Sequence, residues 1–129
     1  DAMFEARGID PKTIESQGHL HDATAAGRGY AVAGGVSKAI ENCIHEYYPD
    51  VEVLIEHVEG LDECKKVLML AKAGRKNGYL IEGMGCPGGC VAGAGTLIPV
   101  PEAKKDVQQI VKDSTKKLPP KQLREIELK

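Results

Sequence analysis

Residues 51 to 83 restrict the possible folds more than any other part of the chain. "VEVLIEHV" alternates, with Val51, Val53 and Ile55 on one face and Glu52 and Glu56 on the other, which is the period of a strand. Leu61, Cys64, Val67, Leu68 and Ala71 then recur at helical spacing, and "KNG" at 76 to 78 reads as the stop. "YLIEG" at 79 to 83 is a second, short apolar strand. Strand, helix and strand at this spacing predict a βαβ unit. Strands 51–58 and 79–83 should be parallel, the 61–76 helix should pack on one face, and the crossover should be right-handed. The fold class expected is α/β, a parallel βαβ unit with flanking helices.

The flanking segments fit that scheme. Residues 1 to 8 read as the end of a helix, and "GIDPKTIESQG" as a turn-rich loop. Residues 18 to 35 are rich in small residues and have no clear period, so a long loop is expected there. Val36, Ala39, Ile40, Cys43, Ile44 and Tyr47 form one apolar helical stripe, stopped by Pro49. Pro101 suits the first turn of another helix. Ala103, Val107, Ile110, Val111 and Leu118 would give that helix its buried side, and Pro119 and Pro120 its end. With one Phe and no Trp, the core must be largely aliphatic. The whole of 1–129 is read as one unit, with 119–129 as a tail.

Several function classes are excluded early. A net charge of −2 carries no basic surplus for nucleic acid. No run of 18 apolar residues exists to span a membrane, and no secretory signal pattern is visible. The chain opens "DAMFEARGID", without Met at position 1, and is expected to be a piece of a longer polypeptide. Four unevenly spaced cysteines do not resemble a disulfide framework, which points to a reducing, cytoplasmic setting.

The chemistry concentrates in "EGMGCPGGC", residues 82 to 90. This loop leaves the carboxyl end of a parallel strand, the edge where open α/β sheets bind ligands. Cys86 and Cys90 offer soft thiolates suited to iron–sulfur clusters, zinc or copper(I). The glycines let backbone N–H groups approach an anionic group. Two thiolates do not complete a four-ligand site, and Cys43 and Cys64 lie on apolar helix stripes and read as core. A dithiol redox pair would have two intervening residues where this loop has three. A glycine turn with incidental cysteines also remains open. His19 and His21 form a spaced pair in a loop. His45 and His57 read as solvent-facing. Arg28 and Lys38 flank the glycine turn as solvated charges, and Glu82 is either structural or part of a polar shell.

"EGMGCPGGCVAGAG" resembles the last cysteine signature of the iron-only (di-iron) hydrogenases. Upstream, "GYAVAGGVSKAIE" resembles that family's glycine-rich turn into a helix, and "VEGLDECKKVLMLAKAG" the segment between its two following strands. The resemblance covers about residues 28 to 96. It implies a carboxyl-terminal fragment of the two-lobed catalytic domain of an enzyme that reversibly reduces protons to hydrogen. That enzyme's H-cluster is a four-iron four-sulfur cubane joined to a di-iron unit. By resemblance, Cys86 binds one cubane iron, and Cys90 binds another and bridges it to the di-iron unit. Met84 packs beside the di-iron ligands as the catalytic neighbour. Gly88 and Gly89 serve cofactor binding and, with Pro87, shape the turn. The family's two earlier cysteine signatures, its cyanide-contacting Lys and its proton-relay Cys are absent, and "GAGTLIPV" stands where Gly-Gln-Pro is usual. The implied parent holds the H-cluster and exchanges electrons with a ferredoxin-type carrier or accessory clusters. The remaining lobe is its structural partner, and no cluster is expected in the isolated piece. The alternatives are a non-catalytic iron–sulfur sensor relative and a glycine-loop module for an anionic ligand.

Overall fold

The computed structural model describes residues 2–15 and 23–121. In chain order it contains α1 (Ala2–Ala6), a 3₁₀ turn at Pro11–Thr13, α2 (Ala25–Arg28), a 3₁₀ turn at Gly29–Ala31 and α3 (Gly35–Tyr47). There follow β1 (Leu54–Glu59), α4 (Leu61–Lys72), β2 (Tyr79–Met84), a 3₁₀ turn at Cys90–Ala92 and α5 (Val100–Asp113). The strands pair in parallel, from Leu54 opposite Tyr79 to Glu59 opposite Met84, as the βαβ pattern requires. Glu82 reaches Ser37 of α3, while Cys64 of α4 lies against Gly83. Adjacent strand residues point to opposite faces, so α3 and α4 cover opposite sides of the sheet.

The element ends differ from the sequence reading in four places. β1 begins at Leu54 rather than Val51, because the Val51 amide closes a turn onto the Tyr48 carbonyl at 3.0 Å. α4 stops at Lys72, not 76. Gly74 takes φ +76°, its amide bonds the Ala71 carbonyl, and the Arg75 amide bonds the Leu70 carbonyl, which is a Schellman ending ahead of Asn77-Gly78. The expected long loop at 18–35 holds α2 and a 3₁₀ turn, started by Thr24, whose hydroxyl accepts the Gly27 amide at 3.1 Å. His19 and His21 lie outside the described residues.

The fourth difference is at α5, which ends at Asp113 well before Pro119. The Ser114 hydroxyl donates to the Ile110 carbonyl at 2.7 Å, offering the backbone an exit from the helix. The released chain then uses its Lys116 and Lys117 carbonyls to accept the Ala25 and Ala26 amides at the start of α2. Ala103 is buried, whereas Ile110, expected on the buried side, is half-exposed.

The buried apolar residues among those described are Ala25, Ala39, Val67 and Ala103. No large side chain among them is fully enclosed. On α4, Val67 is 4% exposed, but Leu61 and Leu68 are 76% and 62% exposed. The row Cys64, Val67, Ala71 lies over the sheet, and two strands are too narrow to cover the rest of the predicted stripe.

Candidate functional site

The site forms where β2 ends and its chain turns back across the glycine-rich segment 29–35. The Gly89 amide bonds the Cys86 carbonyl at 3.0 Å, closing the turn, and a 3₁₀ turn follows at Cys90–Ala92. Gly89 has φ +92°, and a Cβ there would stand 2.4 Å from the Ala33 nitrogen and 2.7 Å from the Ala31 oxygen. The Ala33 amide in turn donates to the Gly88 carbonyl at 3.3 Å. Within the facing segment, a Cβ on Gly35 would stand 2.0 Å from the Gly29 carbonyl oxygen. The two turns therefore pack backbone to backbone at Gly89, while Gly35 lets the facing segment fold tightly on itself.

Two carboxylates hold this junction. The Glu59 side chain, at the last paired position of β1, accepts the Gly88 amide at 2.5 Å. Glu82, 9% exposed, accepts the Ser37 amide at 2.9 Å in the first turn of α3. Helix α3 has no cap of its own, since Gly34 precedes it, so Glu82 serves as a cap from 45 residues away. Burial pushes the Glu82 carboxyl up, but the polar groups of Ser37 and the nearby amides of Val36 and Gly34 more than reverse it. By geometry only Oε2 is hydrogen-bonded, to the Ser37 amide, and Oε1 is buried without a partner among the described residues. The net effect holds the carboxyl below its ordinary pKa, so Glu82 is an anion at neutral pH.

Cys86 is half-buried and Cys90 exposed, both as free thiols, with half-buried Met84 at the end of the strand leading to them. Gly88 and Gly89 are buried, and their amides are taken by Glu59 and the Cys86 carbonyl. Among the described residues, the Gly85, Cys86, Cys90 and Val91 amides alike meet no backbone acceptor. Cys43 is half-buried on the wall of a cavity of about 260 Å³ with Tyr30, Ile44 and Tyr47. Cys64, also half-buried, points its thiol at the Met84 carbonyl, 3.9 Å away. His45 and His57 are exposed, as expected, and Lys38 pairs with Glu41 at 2.6 Å. No group of three or more His, Cys, Asp or Glu residues converges as a metal site among the described residues. Met84, Cys86, Gly88, Gly89 and Cys90 thus follow one another from the end of β2 through the turn, and among the described residues no third side-chain ligand joins the two thiols.

Sequence reasoning missed Glu59 altogether and left Glu82 undecided. The available signal was the uncapped start of α3: a glycine before a helix leaves its first amides in need of an acceptor. No comparable signal marks Glu59, which depends on where the sheet carries it.

Among the described residues, no helix is long and apolar enough to cross a membrane. A search of curated proteins gives no match. The family model described as iron only hydrogenase large subunit, C-terminal domain, matches residues 1–94. The matched span includes the sheet, α4 and the whole cysteine turn, and stops before α5.

Proposed function

The chain belongs to the family of iron-only hydrogenase large subunits, C-terminal domain, and on that premise we propose that Cys86 and Cys90 are two of the protein ligands of an H-cluster. The observation that carries this reading is the turn itself: two free thiols, on a tightly packed loop at the carboxyl edge of a parallel sheet, with amides along it that meet no backbone acceptor. The donor set suits the group. Thiolates are the usual ligands of iron–sulfur clusters, and open amides stabilise the negative charge on cluster sulfur. When bound, the H-cluster supplies the centre at which protons and electrons combine into hydrogen. Cys86 and Cys90 would hold it through their thiolates, with Cys90, by the family resemblance, the one shared with the di-iron unit. Met84, at the end of the strand that leads into the turn, would supply a soft, apolar thioether beside it.

Two thiolates are half of a cubane's ligands, so the other two come from a part of the parent protein outside these residues. The exposed Leu61, Leu68 and Met69 on α4 and the exposed Leu97 and Ile98 after the cysteine turn support a covering lobe there. We further propose a ferredoxin-type electron carrier or accessory clusters as the redox partner, and a reducing cytoplasmic setting in which all four thiols stay free. The anion-module alternative leaves the two free thiols without a role, and the Gly88 amide that such a module would offer is already taken by Glu59. A sensor relative would use the same thiols, and turnover separates it from the enzyme.

The test is made in the full-length protein that carries these residues, matured with its cluster. Cys86→Ala and Cys90→Ala each abolish hydrogen evolution and lower bound iron, because a cluster iron loses its ligand. Cys43→Ala and Cys64→Ala leave turnover largely intact. Full hydrogen evolution from Cys90→Ala protein refutes the ligand assignment. Bound iron with no hydrogen evolution from the wild type assigns the sensor role.

A further inference from the structure

The Cys86–Cys90 turn has one internal backbone donor that the turn cannot satisfy. Pro87 has no N–H. The Gly89 amide closes the turn on the Cys86 carbonyl. The Gly88 amide is left, and Gly88 is buried. Its acceptor is Glu59, brought there by the sheet. Glu59 faces Met84 at the last paired position, and the Gly60 amide extends the pairing to the Met84 carbonyl at 2.8 Å. Pro87 packs over Gly60, 3.7 Å from where a Cβ would stand. On the far side, the Gly88 carbonyl accepts the Ala33 amide. The turn is therefore gripped from two directions, by the glycine segment and by Glu59.

We propose that Glu59 is a positioning residue, one that fixes the Cys86–Cys90 turn in its thiol-presenting conformation before any cluster is bound. This rests on the reading of Cys86 and Cys90 as cluster ligands. A negative charge is an unfavourable neighbour for an anionic cluster, so the useful feature of Glu59 is its acceptor oxygen, which glutamine also provides.

The full-length protein is tested metal-free and reduced, with phenylarsine oxide as a probe that takes two thiolates at once. Occupancy at Cys86 and Cys90 is read by peptide mass spectrometry. Glu59→Ala weakens retention at this pair about tenfold, the scale of leaving one buried amide without an acceptor. Glu59→Gln stays close to wild type, as does Glu63→Gln, a nearby control that touches α4 alone. Unchanged retention in Glu59→Ala overturns the proposal, and so does a Glu59→Gln protein as impaired as Glu59→Ala. If Glu59→Ala does not fold, hydrogen exchange decides: the Gly88 amide is protected in metal-free wild type and in Glu59→Gln, and free exchange in either overturns the proposal. Iron uptake is measured in parallel. Wild-type protein that takes no iron while Glu59→Ala still loosens the arsenical refutes the ligand reading and leaves the positioning role standing.

Discussion

Helices α3 and α4 carry similar apolar stripes, yet the fold treats them differently. α3 is covered along its stripe: Ala39 is buried, and Val36, Ile40, Cys43, Ile44 and Tyr47 are half-buried against the sheet, α2 and the turn after it. Its first turn is held by a carboxylate from β2. α4 has Val67 buried and Leu61 and Leu68 in the open. It also closes by itself, through the local bonds at Gly74. The cysteine turn sits at the α3 side of this divide, locked to the glycine segment that leads into α3. The lesson is that a hydrophobic period specifies a helix, whereas the cover for each face depends on what the rest of the fold can reach.

The most damaging way to break the α3 side is to crowd its backbone, either between the two turns at Gly89 or within the glycine segment at Gly35. Gly89→Ala forces a Cβ to within 2.4 Å of backbone at a left-handed φ, and Gly35→Ala meets a carbonyl oxygen at 2.0 Å. Strained backbone costs about 1–3 kcal/mol and overpacking about as much again, so Gly89→Ala should lose about 2–6 kcal/mol and Gly35→Ala, which meets only the steric clash, about 1–3 kcal/mol. Denaturant titration measures the loss. Stabilities within about 0.5 kcal/mol of wild type would mean the turns are not packed as described.

Next in size is the long-range cap. Glu82→Ala removes a charge-assisted bond to the Ser37 amide and should cost about 1.5–3 kcal/mol. Its pH dependence follows from the lowered pKa. The unfolded carboxyl titrates near 4.5, and the folded one below that. The stabilisation is thus fully present above the unfolded value and is lost as pH falls through the folded value. Glu82→Gln should flatten that acid limb, and denaturation midpoints taken between pH 6 and pH 3.5 check it. A wild-type-like limb in Glu82→Gln would contradict the assignment.

The smallest effects sharpen the contrast within α4. Val67→Ala should cost about 1–2 kcal/mol, the loss of two buried methyl groups. Leu68→Ala, one position on, should stay within about 0.5 kcal/mol in the 129-residue chain. Repeated in the full-length protein, Leu68→Ala should cost clearly more, because a covering lobe would bury that face. Equal values in the two proteins would show that nothing covers α4.

Period and punctuation in the sequence were enough to read the parallel sheet, the crossover helix, α3 and the position of the cysteine turn. They misplaced the ends where the signal was backbone conformation or competition for a carbonyl. Gly74 ends α4 ahead of the more conspicuous Asn77-Gly78, and the Ser114 hydroxyl releases α5 ahead of Pro119. Thr24 carried a capping signal for α2, hidden because the helix it starts is only one turn long. Within the site, the residues of the turn were readable because they are contiguous. Glu59 was not, because a carboxylate 29 residues before Gly88 has no local pattern linking it to that amide.

What the sequence determined by itself was therefore local: which segments can form a strand or a helix, and that two thiols lie four residues apart in a glycine-rich turn. Side-chain period and glycine placement act over a few residues, and they are written in the order of the chain. The tertiary structure decided which amides were taken and which left open, which carboxylates became caps, and which apolar faces stayed exposed. Those outcomes depend on strand register and on the approach of two backbones within van der Waals distance, and both arise only when segments far apart in the chain are brought together.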